Sequence, residues 1–499
     1  MFTRLGPSDA IGEEGVEAGL RAMLRDGLCS QAMGTLTSGV FLVGFALALG
    51  ANNAVIGLLA AMPFLVNLVQ IPTLLWVEHA RTRKAIVVAI NLFGRTVLLA
   101  TALAPLLPTP EARLGALIGG VLIHVVCNGI AGTAWNSWMR DLVPNDRFGT
   151  YFGNRLFYAT ALAAILGFAG AFVVDAGPEV VAGGALQVYS MLFGLGAVAG
   201  LFGLYYLSIT PEPRMAVPED RRRLAELLAR PFRDLNFRRL ILFLGSWNFA
   251  VNLAAPFFTV YMLTRLGFGM FFVVGMTVVS QAANLVVIRT FGRLADRFSN
   301  KSVLAVCGPA FILAIFAWTF TTLPERHAGT VPLLIAIHLL MGFATAGVTL
   351  ASSNISLELA PRGDATAYLA SVSVVNSLAA GIAPIIGGLF ADFFAAQELS
   401  VVVRWSSPEA EVALDAFSLR YWDFFFLLAT VLGLYSIHRL TLVREEGEVK
   451  ERVVLNELML EARRTIRNLS PVAGLRGLAV FPFVILRRRR SRRRRHAPS

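Results

Sequence analysis

The chain has 499 residues, 56% hydrophobic and only 15% charged, with a formal net charge of +12. A soluble domain carries nearer ~25% charged residues, which argues against a water-soluble globular enzyme. Cys29, Cys127 and Cys307 form neither a metal nor a disulfide spacing.

The apolar residues come in runs, many of them reaching the ~20 residues that cross a ~30 Å hydrocarbon core. The first thirty residues hold acids and several arginines ahead of any such run. No cleavable signal peptide is expected, and the first span serves as the insertion signal. Spans are expected at 32–52, 54–77, 85–106 (interrupted by Arg95), 113–139, 150–174 and 185–208. A second set follows at 240–264, 269–290, 302–323, 332–357, 365–394 and 419–440. The fold class is therefore all-α integral membrane, with twelve transmembrane helices in two six-helix bundles. The bundles cover 32–208 and 240–440, flanked by an N-terminal segment 1–31, a central loop 209–239 and a basic tail 441–499.

Basic loops set orientation, because positive charge is retained on the inside. Arg81, Arg83 and Lys84, then Arg140 and Arg147, then Arg293, Arg297 and Lys301 fall on one side, as do Arg221, Arg222 and Arg223 of the central loop. The opposite loops are short and poor in Lys and Arg; the longest, 397–419, is mixed in charge. Both termini are expected in the cytoplasm, with the chain in a bacterial-type inner membrane.

A shift of 217 residues brings the halves into ungapped register. It aligns Asn67-Leu68-Val69 with Asn284-Leu285-Val286, Lys84 with Lys301, Pro144 with Pro361, Tyr151 with Tyr368 and Asp175 with Asp392; Asp141 meets Glu358. Apolar matches alone would arise by chance, but aligned Asn, Lys, Pro, Tyr and Asp would not readily do so. Because each half has an even number of spans, both enter the membrane the same way. Parallel repeats of this kind place a binding site near the midplane between halves that rock about it.

The stretch Gly292-Arg293-Leu294-Ala295-Asp296-Arg297-Phe298-Ser299-Asn300-Lys301 resembles the cytoplasmic loop motif of the major facilitator superfamily. The resemblance extends over nearly all of 30–440 and implies alternating access between two pseudosymmetric halves. It implies that Gly292, Arg293, Asp296, Arg297 and Lys301 form a latch; the alternative is that their charge only fixes topology. Gly292 is expected to allow close backbone approach, and Asp296 to sit against a helix N-terminus or an arginine. The first-half copy, Leu74–Lys84, keeps Arg83 and Lys84 but places Leu75 and His79 where the glycine and the acid belong. That half is expected to latch weakly or through Glu78. Gly381–Gly388 is similar to a Gly/Pro-rich stretch that antiporter members carry in span five; here it lies in span eleven and implies no antiport.

Polar side chains inside a membrane are costly and face a cavity or a partner helix. Span four offers His124 and Asn128, span seven Trp247, Asn248 and Asn252, and span ten His338, Thr345 and Thr349. The resemblance implies that spans one, four, seven and ten line the cavity. Arg155 with Tyr158, Gln281 and Asn376 are added from spans five, eight and eleven. Asn67 and Asn284 share a repeat position, which favours a helix–helix hydrogen bond over a ligand. Arg95 and Arg155 would either meet an anionic substrate or pair with Asp141 or Glu358. No acid is expected in the middle of a span, so proton coupling through His124 or His338 and facilitated diffusion stand equal.

No cofactor, metal site, phosphate-binding loop or nucleic-acid partner is expected; the chain reads as a monomer, and not as an enzyme. Arg487–Arg490 and Arg492–Arg495 suit anionic lipid at an interfacial tail, or a merely unstructured basic end. The expected function is secondary or facilitative transport of a small organic solute. Lipid or lysolipid flipping and a transport-dead sensor or scaffold remain as alternatives.

Overall fold

A computed structural model describes residues 6–7, 11–181, 183–215, 230–322, 325–361, 365–406, 411–449 and 451–468. The arginines at 221–223 and the arginine-rich run 487–495 lie outside the described residues.

Within a bilayer every backbone N–H and C=O must be satisfied inside the segment, so apolar runs become helices. Among the described residues eleven helices are long and apolar enough to cross a membrane, and a bent pair brings the number to twelve. Span one comprises Glu13–Thr37 and Gly39–Ala48, broken at the extended Ser38; Gly39 takes the positive φ that restarts the helix. Span two comprises Asn53–Val66 and Gln70–Ala80, joined through the 3-10 turn Asn67–Val69 and bent by 49°. Spans three to six are Arg83–Thr101, Pro110–Leu142, Phe148–Ala176 and Gly184–Ile209.

The second half opens with span seven, Leu235–Val260, followed by Met270–Arg297, Asn300–Ala317, Thr330–Glu358, Ala365–Phe394 and Trp422–Thr441. Side-chain caps mark several starts. Thr109 accepts from Ala112 N, Asp234 from Asn236 N and Phe237 N, and Ser299 from Ser302 N.

Two features differ from the sequence reading. The first helix begins at Glu13, so much of the expected N-terminal segment is its first turns. The loop 397–419 forms an antiparallel hairpin of β1, Glu398–Ser406, and β2, Glu411–Arg420, with a register irregularity at Val401/Val402. The runs of β-branched and alternating residues there fit a pleated ribbon.

The chain thus has a hairpin end and a basic end, the latter carrying Arg83, Lys84, Arg297 and Lys301. Near the hairpin end an aromatic core packs the second half: Phe258 stacks on Trp318 at 4.6 Å between ring centroids, and Tyr261 meets Trp422 edge-on at 5.9 Å. Phe172, Leu195 and Phe202 remain exposed on spans five and six, as suits a surface solvated by hydrocarbon. Helix Glu451–Asn468 follows span twelve and returns to the basic end, where Glu457 meets Arg297 at 3.3 Å.

Candidate functional site

Spans two and eleven, one from each half, meet backbone to backbone at the hairpin end. Gly57 lies against the Pro384 carbonyl, and Gly388 against the backbone of Asn53 and Ala54. The Gly381–Gly388 stretch therefore has a packing role: without side chains, its glycines let two helices from different halves touch. Further toward the basic end the same two helices part. Phe64 and Asn67 of span two and Leu369, Ser373 and Asn376 of span eleven line a cavity of about 560 Å³. A second cavity of about 410 Å³ is lined by the same helix, through Leu59 and Pro63, and reaches into the first half.

The first-half cavity is lined by Ser30, Gln31, His124, Asn128 and Arg155, among others. Behind it lies an ion pair that the sequence reading missed. Asp26 of span one, 4% exposed, stands 3.7 Å from Arg95, also 4% exposed. Asp26 sits thirteen residues into its helix, which is ~20 Å at 1.5 Å per residue. The sequence reading placed Asp26 ahead of the first span; the structure buries it, and Arg95 pairs with it rather than with Asp141 or Glu358. Arg95 also donates to Ser30 Oγ at 3.0 Å and to the Gly200 carbonyl. Gly203 of span six lies 2.8 Å from Asp26 Oδ1, measured from where its Cβ would be, so only glycine fits there.

Arg155 differs from Arg95. Its guanidinium carbon lies 4.7 Å over the Trp135 ring, and its Nε is buried without a hydrogen-bond partner. Gly27 makes room for it: a Cβ there would fall 2.5 Å from that Nε. Behind the wall Arg95 is thus held by Asp26, and on it His124 Nδ1 is held by the Gly94 carbonyl at 3.2 Å. Arg155 has an aromatic face and, among the described residues, no ion-pair or hydrogen-bond partner; the Asp26 carboxylate acts on it only through space.

The second-half cavity has a different chemistry. Asn67, Asn248, Ser352, Ser353, Ser356 and Asn376 line it, and among the described residues no ionisable one does. Ser352 Oγ and Asn376 Oδ1 are buried without hydrogen-bond partners. Asn248 donates to the Leu244 carbonyl at 2.9 Å and Asn252 to that of Asn248 at 2.8 Å. Asn67 accepts from Gln70 at 3.0 Å within its own helix.

Other candidates fall elsewhere. Trp247 is buried against Phe311 at 5.7 Å, a core residue. His338 is buried against Trp318 and bonds the Leu334 carbonyl at 2.8 Å. Tyr158 and Gln281 are exposed, and Thr345, Thr349 and Asn252 line neither cavity.

Hydrogen bonds that join the halves cluster at the hairpin end and obey the repeat. Asp175, closing span five, accepts from Met270 N at 2.7 Å and Phe271 N at 2.8 Å, the first amides of span eight. Asp392, near the end of span eleven, accepts from Asn53 N at 3.1 Å and Ala54 N at 2.9 Å, the first amides of span two. Each carboxylate satisfies orphan donors at a positive helix end. The second is reinforced, because Asn53 Nδ2 also donates to Asp392 at 2.8 Å and to the Tyr421 hydroxyl at 2.7 Å.

The loop motifs at the basic end bond within their own halves. Arg83, fully buried, pairs with Asp141 and Glu212; Glu212 also accepts from Arg83 N at 2.7 Å and Lys84 N at 3.2 Å. In the second half Glu445 accepts from Asn300 N at 3.0 Å and from Lys301 N, and Glu358 accepts from Asn300 Nδ2 at 2.9 Å. Lys301 Nζ meets Glu448 at 2.8 Å. Asp296 is exposed, and neither it nor half-buried Glu78 forms an ion pair among the described residues. Gly292 is not at a close approach: a Cβ there would meet only Leu350, at 3.8 Å.

Two pseudosymmetric six-span halves around a central cavity define a membrane transporter. The chain belongs to the Major Facilitator Superfamily, whose model matches residues 27–330 and 290–491. Among proteins of curated function none matches in sequence. Solved structures share the fold. The nucleoside transporter NupG, in a point-mutant form, aligns at TM-score 0.64 and 14% identity, over 86% of this chain and 100% of that one. A D-xylose-proton symporter aligns at 0.60 and 13%, over 87% and 98%. A bacterial homologue of the iron transporter ferroportin, in an inward-facing state, aligns at 0.58 and 13%, over 86% and 98%. The chain is a small-solute membrane transporter.

Proposed function

We propose that the protein carries a polar organic solute by alternating access, and that the structure is its inward-open state. The observation that carries this is the course of spans two and eleven, in contact at one end and separated by cavities toward the other. Positive charge is retained inside, so the basic end faces the cytoplasm, with both termini on that side of an inner membrane. Polar walls of serine, asparagine, histidine and arginine suit a polar solute better than a lipid.

Asp26 is the group fitted to couple a proton. One structural neighbour is a D-xylose-proton symporter. In this chain, a buried carboxylate that gains a proton gives up its hold on Arg95 and frees that cation for the cavity wall. No pH gradient is needed to read the states. Spin labels replace Val180 and Leu399 at the hairpin end and Leu75 and Leu357 at the basic end, all exposed positions, with Cys29, Cys127 and Cys307 removed. The two distances are expected to vary reciprocally between pH 5 and 8, and Asp26→Asn to remove that dependence. Distances that change together refute alternating access; distances that ignore pH, or a pH dependence that persists in Asp26→Asn, refute the coupling role alone.

A further inference from the structure

The two cavity walls differ in charge, and the difference specifies a substrate class. Behind the first-half wall Asp26 and Arg95 are paired, so their charges cancel. Arg155 lines the cavity itself, and among the described residues no carboxylate is bonded to it. A cation in a membrane interior is costly unless it meets a counter-charge, and here one positive charge is left over. The ring of Trp135 covers one face of the guanidinium, which holds the plane in place without using its N–H donors. A planar fork held in that way matches a carboxylate.

Across span two the wall is neutral, built of hydroxyls and amides from Asn248, Ser352, Ser353, Ser356, Ser373 and Asn376. Those groups bond hydroxyls, amides or carbonyls and offer a second charge no partner. Ser352 Oγ and Asn376 Oδ1 have bonding capacity to spare. The two cavities on span two, about 410 and 560 Å³, fall in the size range of small-molecule sites.

We propose that the substrate is a small organic monoanion rich in hydroxyl or amide groups, its carboxylate on Arg155 and its neutral polar part on the serine–asparagine wall. This rests on the transport reading above. A neutral sugar would leave the Arg155 charge unmet, and a cation would be repelled by it. An anion lacking hydroxyls would leave the neutral wall unpaired.

The test is thermal unfolding of the full chain in detergent with four hydroxylated or amide-bearing monocarboxylates: D-gluconate, D-glycerate, L-lactate and N-acetylneuraminate. D-glucose, glucosamine and hexanoate are the controls. At least one of the four is expected to raise the midpoint with concentration, and the controls to act about tenfold more weakly or not at all. Arg155→Gln should abolish the shift while its ligand-free midpoint stays at or above that of the wild type, because a buried unpaired cation is gone. Arg155→Lys should restore part of it. The proposal is overturned if none of the four shifts the midpoint, if glucose or glucosamine matches them, or if the shift survives in folded Arg155→Gln. The spin-label distances need no ligand, so reciprocal distances with a failed panel leave transport standing and remove only the anion.

Discussion

Replacing Asp392 by asparagine removes the more heavily bonded of the two carboxylates that hold the hairpin end shut. Asn keeps one oxygen to accept from Asn53 but turns an amide toward the Ala54 N–H, which sits 2.9 Å from Asp392 Oδ2. One charge-assisted hydrogen bond is lost, at about 1.5–3 kcal/mol, together with a charge at a helix N-terminus worth about 0.3–1 kcal/mol. Roughly 2–4 kcal/mol then shifts the gate toward opening by roughly 30- to 700-fold, at ~1.4 kcal/mol per tenfold. Hydrogen–deuterium exchange by mass spectrometry reads this directly in peptides covering residues 50–60 and 384–396. Exchange should accelerate in both, while peptides of the aromatic core around Trp318 stay unchanged. Asp175→Asn should act in the same direction and no more strongly, since its carboxylate lacks the Asn53–Tyr421 support. Unchanged exchange in Asp392→Asn would show that these carboxylates do not hold the gate.

Glu212→Gln breaks a fully buried pair with Arg83. Breaking such pairs costs about 3–5 kcal/mol, so a drop in the unfolding midpoint well beyond that of Glu445→Gln is expected. Gly27→Ala should push Arg155 out of place with little loss of midpoint, and weaken anion-dependent stabilisation as Arg155→Gln does. Glu457→Gln removes a pair whose Arg297 partner is 63% exposed. Its effect on the midpoint should be small, within about 1 kcal/mol, and a large drop would mean that the tail helix is part of the core.

Most of the fold was legible because each of its signals is local. Apolar runs mark the spans, and the 217-residue register pairs Asp175 with Asp392 without showing what they bond. His124, Asn128, Arg155, Asn248 and Asn376 reached the cavity walls, as polar residues in apolar helices do. Asp26 escaped because Glu17, Arg21 and Arg25 surround it, and charge so dense reads as an aqueous segment. Only the tertiary pairing with Arg95 marks it as buried. Glu212 and Glu445 escaped for a related reason. Each follows the last span of its half and caps a helix more than a hundred residues earlier, a contact no spacing rule encodes. Trp247 and His338 were misplaced by the opposite error, since a polar or aromatic residue at helical spacing also fits a well-bonded core.

The central claim is that the hairpin end must open once in every transport cycle. Phe168 of span five and Phe271 of span eight face each other across it, with ring centroids 5.3 Å apart. The measurement is flux of a defined metabolite mixture through proteoliposomes bearing Phe168→Cys with Phe271→Cys, quantified by mass spectrometry. Flux of at least one solute is expected with the pair reduced, none once it is oxidised, and recovery on reduction. Flux that continues through the closed disulfide would contradict the account.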